Sequence, residues 1–133
     1  AKDREIGFKI FFNNKLLNDL NMKFIINSDK NLIYRMLSNI IKNAIEASPM
    51  NCDVTIDIHT EEIFKIEIHN YGAIPKEIRP YFFDKYISSN KFGGTGLGAY
   101  SSKLIANMLK IDLSFESSDE NGTTIFIDLS EIL

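Results

Sequence analysis

The sequence is poor in the residues that build covalent cross-links and most metal sites. It has one cysteine, Cys52, in 133 residues. No internal disulfide can form, and nothing points to an oxidising compartment. Cys52 has no companions at metal-ligand spacing, so neither a metal nor a nucleophilic role is assigned to it. Histidine is almost as scarce. His59 and His69 lie in strand-like runs and are read as half-exposed strand residues. Long apolar runs are missing too: there is no stretch of about 18 apolar residues, so no membrane span is expected. No signal peptide is visible. Nor is there an excess of positive charge: 15 Lys and Arg stand against 18 Asp and Glu, a net charge of −3, which disfavours a nucleic-acid partner. The opening Ala1-Lys2-Asp3-Arg4-Glu5 carries no Met and reads as a cut from a longer protein.

Glycine is also sparse, with seven in the chain, which makes its placement informative. Four of the seven fall between Gly93 and Gly98, in Lys91-Phe92-Gly93-Gly94-Thr95-Gly96-Leu97-Gly98-Ala99-Tyr100. An apolar-periodic segment follows at once: Tyr100, Leu104, Ile105, Met108, Leu109. The pattern is a glycine-rich loop feeding a helix. Such a loop can turn its N–H groups inward as an anion nest. The helix start adds orphan N–H groups and the positive end of its dipole. Glycine permits φ > 0 and a close approach by the anion, for which phosphate is the natural choice. The competing reading is a flexible linker, but linkers rarely run straight into an amphipathic helix.

Ile6 to Phe12 is β-prone. Leu16, Leu17 and Leu20 suggest a short helix, and Met22 to Ile26 a strand. Asn27-Ser28-Asp29 reads as a turn and helix cap. A long helix is predicted from about Lys30 to Ser48, with Ile33, Met36, Leu37, Ile40, Ala44 and Ala47 as its core stripe, ended by Pro49. Val54, Ile56 and Ile58, then Phe64, Ile66 and Ile68, alternate with polar residues as a hairpin with one buried face. Asn70-Tyr71-Gly72-Ala73-Ile74-Pro75 breaks the second strand. A short helix over Lys76 to Phe83 and an aromatic cluster (Tyr81, Phe82, Phe83, Tyr86) follow. The segment Phe82 to Phe92 is read as a lid. After the glycine loop come a helix over 99–109 and a closing hairpin through Leu113, Phe115, Ile125 and Ile127. The expected fold is α+β: a two-layer sandwich with a mixed, mostly antiparallel sheet of about five strands and about three helices on one face.

Asn39 and Asn43 lie one turn apart on one face of the long helix, with Arg35 a further turn back. Asn is a poor helix former. A carboxamide oxygen is a hard, neutral ligand suited to Mg²⁺ that also holds phosphate. A solvated helix face explains the pair equally well at this point.

The run Asn39-Ile40-Ile41-Lys42-Asn43-Ala44-Ile45-Glu46-Ala47-Ser48 resembles the N box of histidine-kinase ATP-binding domains. These domains belong with DNA gyrase B, Hsp90 and MutL in a superfamily sharing the Bergerat fold. Phe83-Asp84-Lys85-Tyr86 resembles the F box, and Gly94-Thr95-Gly96-Leu97-Gly98 the second glycine box. The order matches along nearly the whole chain. The first glycine box, usually D-x-G-x-G, corresponds to Asn70-Tyr71-Gly72-Ala73-Ile74-Pro75. Strand alternation puts Asn70 at the position of the adenine-binding Asp, whereas aligning on Ile74-Pro75 would put His69 there. Gly72 matches the first Gly, and the second is missing. Gly122-Thr123-Thr124 fits the closing strand, where a Thr is implied near adenine. Lys110-Ile111 replaces a common Gly-Gly pair.

The resemblance implies ATP and Mg²⁺ as cofactors, with Asn43 as metal ligand and Asn39 and Lys91 as catalytic residues. The implied nucleotide site is Asn39, Lys42, Asn43, Asn70, Gly72, Ile74, Phe83, Tyr86, Lys91, Gly94, Thr95, Gly96, Leu97, Gly98 and Thr123. In the gyrase and Hsp90 branches the position of Asn39 holds a carboxylate that activates water. Asn cannot serve as that base, which fits phosphoryl transfer better than hydrolysis. Neither histidine lies on a helical pattern with an acidic neighbour, so the phosphoacceptor is expected on a separate hairpin domain. Residues 1–133 then form a single catalytic domain of a cytoplasmic kinase region, in a full-length homodimer that can be membrane-anchored. Its partners would be its own dimerisation domain and a response regulator. No nucleic-acid or membrane contact is expected of the domain itself. An anti-sigma-factor type of serine kinase, and a docking module that no longer binds nucleotide, remain as alternatives.

Gly96→Val is expected to weaken nucleotide binding at least tenfold, about 1.4 kcal/mol, because a β-branched residue disfavours φ > 0 and blocks the phosphate approach. Calorimetric titration of the folded variant with ATP checks this, and unchanged affinity removes the phosphate nest.

Overall fold

The structure is a computed structural model and describes residues 8–16, 28–49, 52–84 and 97–132. Six strands form one mixed sheet: β1 (Phe8–Phe12), β2 (Lys15–Leu16), β3 (Val54–His59), β4 (Lys65–Asn70), β5 (Asp112–Ser118) and β6 (Gly122–Asp128). Their spatial order is β2-β1-β3-β4-β6-β5. β1 and β3 run parallel and every other pair is antiparallel. The described residues contain two α-helices, α1 (Lys30–Ala47) and α2 (Leu97–Leu109).

Register explains why one face is buried. Ile56 pairs with Ile68, Ile68 with Ile125, and Ile125 with Phe115. One step along, Ile58, Ile66, Ile127 and Leu113 form a second cross-strand row. Side chains alternate between faces, so both rows point the same way. Met36, Ile40 and Ala44 of α1 and Ile105 and Ala106 of α2 join these rows in one core. Both helices therefore cover the same side, which is the expected two-layer sandwich. None of the helices among the described residues is long and apolar enough to cross a membrane.

The helix ends follow from local chemistry. Asp29 caps α1, its carboxylate accepting from the N–H groups of Asn31 and Leu32 at 2.9 and 3.0 Å, as an N-cap should. At the other end the Ser48 hydroxyl donates to the Ala44 carbonyl at 2.8 Å, and Pro49 cannot continue the helix. α2 stops at a left-handed Lys110, φ 61°, with the Ile111 N–H returning to the Ala106 carbonyl at 2.9 Å. This is the backbone geometry a glycine normally serves. The chain keeps the turn without the glycine, and the buried Ile111 anchors it.

Three local expectations change. Among the described residues there are six strands, because Lys15–Leu16 pairs with β1 as a strand, while Leu17 and Leu20 of the expected short helix lie outside the described residues. Asn13 and Asn14 both take positive φ, 47° and 69°, the signature of a tight two-residue hairpin turn that Asn tolerates well. Asn13 is also held by the residue just past β3: its carboxamide donates to Thr60 Oγ1 at 3.1 Å and accepts from the Thr60 N–H at 2.9 Å. The helix expected over Lys76 to Phe83 is a turn and one 3₁₀ turn, Arg79–Tyr81. Pro80 lacks the N–H that an α-helix would need there. α2 begins at Leu97, two residues before expectation. The strand expected over Met22 to Ile26 lies outside the described residues.

On the outer face, Asp57 sits directly opposite Glu67 across β3 and β4. Burial pushes the Asp57 carboxyl above its ordinary value and Glu67 adds to the rise, while His59 and His69 oppose it. A raised carboxyl favours the fold when protonated, and that contribution is lost as pH rises through its folded pKa. Asp57→Asn, which does not titrate, should therefore stabilise the fold at pH 7, by a few tenths of a kcal/mol as for relief of a like-charge cross-strand pair. The advantage should shrink as pH falls toward the ordinary carboxylate value of 3.8. Thermal melts of both proteins at pH 7 and pH 4 test this, and an advantage independent of pH would contradict it.

Candidate functional site

The C-terminal half of α1, the start of α2 and the ends of β4 and β6 converge on a cleft. Its empty space is about 430 Å³ with the open mouth included. Ile40, Asn43, Ala44 and Ala47 line it from α1, and Ala99 and Ser102 from α2. Asn70, Thr123 and Ile125 come from the sheet, Ile74 from the loop after β4, and Phe82 and Phe83 close the remaining side. The two phenylalanines meet each other and Phe115 in tilted and edge-on contacts, with ring centroids 5.0 to 5.6 Å apart. Lys103 lies over the Phe83 ring at 5.4 Å and donates to the Leu113 carbonyl at 2.8 Å. The walls are thus mostly apolar and suit a flat aromatic group.

Four polar side chains line the cleft, and two of them have their protons committed. The Ser102 hydroxyl donates to the Gly98 carbonyl at 2.9 Å. The Thr123 hydroxyl donates to the Gly72 carbonyl at 2.7 Å. Asn70 is 4 % exposed and donates one N–H to the same Gly72 carbonyl at 3.3 Å. Its oxygen has no hydrogen-bond partner among the described residues, which is unusual for a buried acceptor. Asn43 is half-buried, and its carboxamide likewise makes no hydrogen bond among the described residues. It packs against Gly98, where a Cβ would lie 3.3 Å from the Asn43 oxygen. Two unsaturated carboxamides therefore face one apolar cleft, one at its base and the other beside the start of α2.

The remaining sequence-derived residues distribute as follows. Asn70, Ile74, Phe83, Thr123 and Asn43 line the cleft. Gly72 lies behind it, where a Cβ would fall 2.0 Å from the Ala47 carbonyl oxygen. Asn39 is half-buried one turn before Asn43, and Lys42 is exposed. Neither lines the cleft. The backbone of Leu97 opens α2. Tyr86, Lys91, Gly94, Thr95 and Gly96 lie outside the described residues, as does most of the lid segment Phe82 to Phe92. His69, the other option for the base-binding position, bonds through Nε2 to the Asn121 carbonyl at 2.7 Å and stacks edge-on against Tyr71. Strand alternation puts it on the sheet face opposite Asn70.

Sequence reasoning missed Ser117. Its hydroxyl oxygen accepts from the Ile74 N–H at 2.8 Å and lies 2.9 Å from Thr123 Oγ1. The signal was available: Leu113, Phe115 and Ser117 share a face by alternation. Ser102 and Ala99 were missed because small residues on a helix carry no pattern of their own.

The family profile described as histidine kinase-, DNA gyrase B- and HSP90-like ATPase matches residues 28–132. The chain belongs to this family. Its sequence relatives fall in the sensor histidine kinase branch. Sensor histidine kinase WalK of Bacillus subtilis is 34 % identical over 110 residues, covering 76 % of this chain and 18 % of the relative. Heme sensor protein HssS of Staphylococcus haemolyticus is 29 % identical over 103 residues, covering 75 % and 23 %. The chain thus spans about a fifth of the length of these curated relatives. Among solved structures, the nucleotide-free catalytic domain of histidine kinase ThkA superposes with a TM-score of 0.72 at 23 % identity, over 93 % of this chain and 79 % of that one. Full-length ShkA in complex with AMPPNP superposes with a TM-score of 0.70 at 13 % identity, over 97 % and 26 %.

Gly72→Ala is expected to destabilise the fold by about 1–3 kcal/mol, as overpacking does. The obstacle is the Ala47 backbone, which no side-chain rotation relieves. Chemical denaturation measures the loss, and a variant as stable as the parent would show that α1 and the β4 exit are not in this contact.

Proposed function

We propose that this domain binds ATP with Mg²⁺ and serves a two-component sensor kinase by passing the γ-phosphate to a histidine on a separate dimerisation domain. The observation carrying this reading is the buried Asn70 oxygen without a partner among the described residues, at the base of an apolar cleft in a histidine kinase-type ATPase fold. It fits the exocyclic amine of adenine, with Ile74 and the apolar helix residues against the ring. A neutral acceptor makes a weaker bond than a carboxylate would. Bound ATP·Mg²⁺ supplies the phosphoryl group and neutralises the charge that develops on it.

The chain's own part is binding and positioning. The Asn43 oxygen, without a hydrogen-bond partner among the described residues, is a hard neutral ligand suited to the metal. The glycine run Gly94, Thr95, Gly96, Leu97 and Gly98 leads into the N–H groups at the start of α2, suited to phosphate oxygens. Lys91, three residues before this run in the sequence, would add a positive charge, and Phe83 lines the cleft, with Tyr86 three residues further along the chain. Lys42 and Asn39 lie on α1 outside the cleft lining and would meet only phosphates that extend beyond it. Asn39 cannot take a proton from water near neutral pH, so the site lacks the residue that would divert the phosphoryl group to hydrolysis. We take residues 1–133 as one catalytic domain, with the acceptor hairpin and a response regulator as partners and the whole protein as a homodimer in the cytoplasm or at its membrane.

Asn43→Ala should keep the fold, since the side chain faces the cleft and not the core, and should abolish the strengthening of ATP binding by Mg²⁺. Titrating ATP into parent and variant, with Mg²⁺ and with a chelator, reads this directly. Equal Mg²⁺ dependence in both would remove Asn43 as the metal ligand. Absence of ATP binding to the parent would remove the whole reading.

A further inference from the structure

Asn is an ambivalent recognition residue. Its carboxamide presents an acceptor in one orientation and a donor after a 180° flip. An Asp at the same place has no such freedom to donate while ionised. A site that relies on Asn70 to accept from an amine must therefore stop the flip, and the surrounding hydrogen bonds show how.

The Gly72 carbonyl can only accept. It takes the Thr123 hydroxyl proton at 2.7 Å, so that proton is committed. Thr123 Oγ1 and Ser117 Oγ are 2.9 Å apart, and with the Thr123 proton spent, Ser117 must be the donor. Ser117 Oγ in turn accepts from the Ile74 N–H at 2.8 Å. Every proton in the chain has one assigned direction: Ile74 N–H to Ser117, Ser117 to Thr123, Thr123 to the Gly72 carbonyl. The two ends of this chain hold both ends of the Gly72 to Ile74 segment. The Gly72 carbonyl, an acceptor whatever surrounds it, is thus held in position beside Asn70 Nδ2, at 3.3 Å. A flipped Asn70 would set its oxygen against that carbonyl oxygen, two acceptors with no proton between them. Thr123 is itself 4 % exposed, so water cannot readily replace the missing links.

We propose that Ser117 and Thr123 are positioning residues for base specificity: through the Gly72 carbonyl they lock the Asn70 carboxamide as an acceptor, so that the cleft takes a purine with an amine at ring position 6 and rejects one with a carbonyl there. This rests on the nucleotide-binding reading above and adds the residues that decide the base. The register makes the device economical. Ser117 and Thr123 are direct cross-strand partners in β5 and β6, and Thr123 is the cross-strand partner of Asn70 in β4. Three adjacent strands thus each contribute one residue at the same level of the sheet.

ATP and ITP provide the probe, because they differ at ring position 6, an amine in one and a carbonyl in the other. Binding constants for both are measured with the parent chain, Thr123→Val, Thr123→Ser and Ser117→Ala. The parent and Thr123→Ser, which keeps the hydroxyl, are expected to prefer ATP strongly. Thr123→Val and Ser117→Ala are expected to lose at least fivefold of that preference, with ITP gaining relative to ATP. A structural role alone would weaken both nucleotides equally and leave the ratio unchanged. That outcome, in variants whose circular dichroism matches the parent, overturns the proposal while leaving the nucleotide site standing. If Thr123→Val does not fold, Ser117→Ala and Thr123→Ser still decide it: an ATP/ITP ratio equal to the parent's in Ser117→Ala refutes the lock. A parent that binds ATP and ITP equally refutes it as well, and a parent that binds neither fails the nucleotide reading itself.

Discussion

At Gly72 the chain leaving β4 passes under the last carbonyl of α1 with room for a hydrogen and nothing larger. Most of the site's geometry depends on this contact. It brings the C-terminal turn of α1 down onto the end of β4, so Ala44 and Ala47 become the wall beside Asn70. It also turns the Gly72 carbonyl toward β6, where Thr123 takes it. A side chain at position 72 would lift α1 off the sheet end and open the cleft at its narrowest part. The glycine is needed here for close approach and not for a left-handed backbone, which distinguishes it from Gly122, whose φ is +78° in the turn beside it.

The sheet divides its two faces by the same alternation that builds the core. The inner rows are isoleucine-rich and carry the packing energy. The outer rows hold Asp57, Glu67, His59 and Lys65, linked by contacts of 3.1 and 3.7 Å to Glu67. These pairs lie at the half-buried outer surface, where solvent screening keeps their contribution small. The outer face therefore tolerates an unfavourable pairing, Asp57 against Glu67, because the inner face fixes the register. A one-residue slip would carry Ile56, Ile68 and Ile125 to water.

What was legible in the sequence is what periodicity and glycine placement encode. The α1 stripe, the β3–β4 and β5–β6 hairpins and the layer architecture follow from Met36, Ile40 and Ala44 at helical spacing and from alternating isoleucines. That Asn70, and not His69, shares the inner face with Ile66 and Ile68 followed from counting alternation to the strand's end. The short edge strand β2 was not legible. Leu16, Leu17 and Leu20 resemble a helical stripe, and only the left-handed pair Asn13–Asn14, held by Thr60 from 47 residues away, turns the chain into a hairpin. Residues 76–83 misled in the same way, since their composition is helical while Pro80 denies the ladder. Ser117 escaped because a serine in a strand is unremarkable until its partners across the sheet are known.

Helix α1 also sets the scale of the site. Asn43 and Ala47 are four residues apart, about 6 Å along the axis. The first residue meets Gly98 at the start of α2, and the second meets Gly72 below the Asn70 carboxamide. One rigid element thus fixes the separation between the end that suits phosphate and the end that suits a base. The two ends also differ in what burial permits. Asn43 is half-open, where a neutral oxygen can share a cation with water. Asn70 is closed in, where an ionised carboxylate would carry a large desolvation cost unless its partner repaid it. A carboxamide at the closed end avoids that cost but gains the freedom to flip. The directed hydrogen bonds from Ile74 through Ser117 and Thr123 to Gly72 answer that freedom, so the choice of Asn at position 70 and the polar pair across β5 and β6 are two parts of one solution.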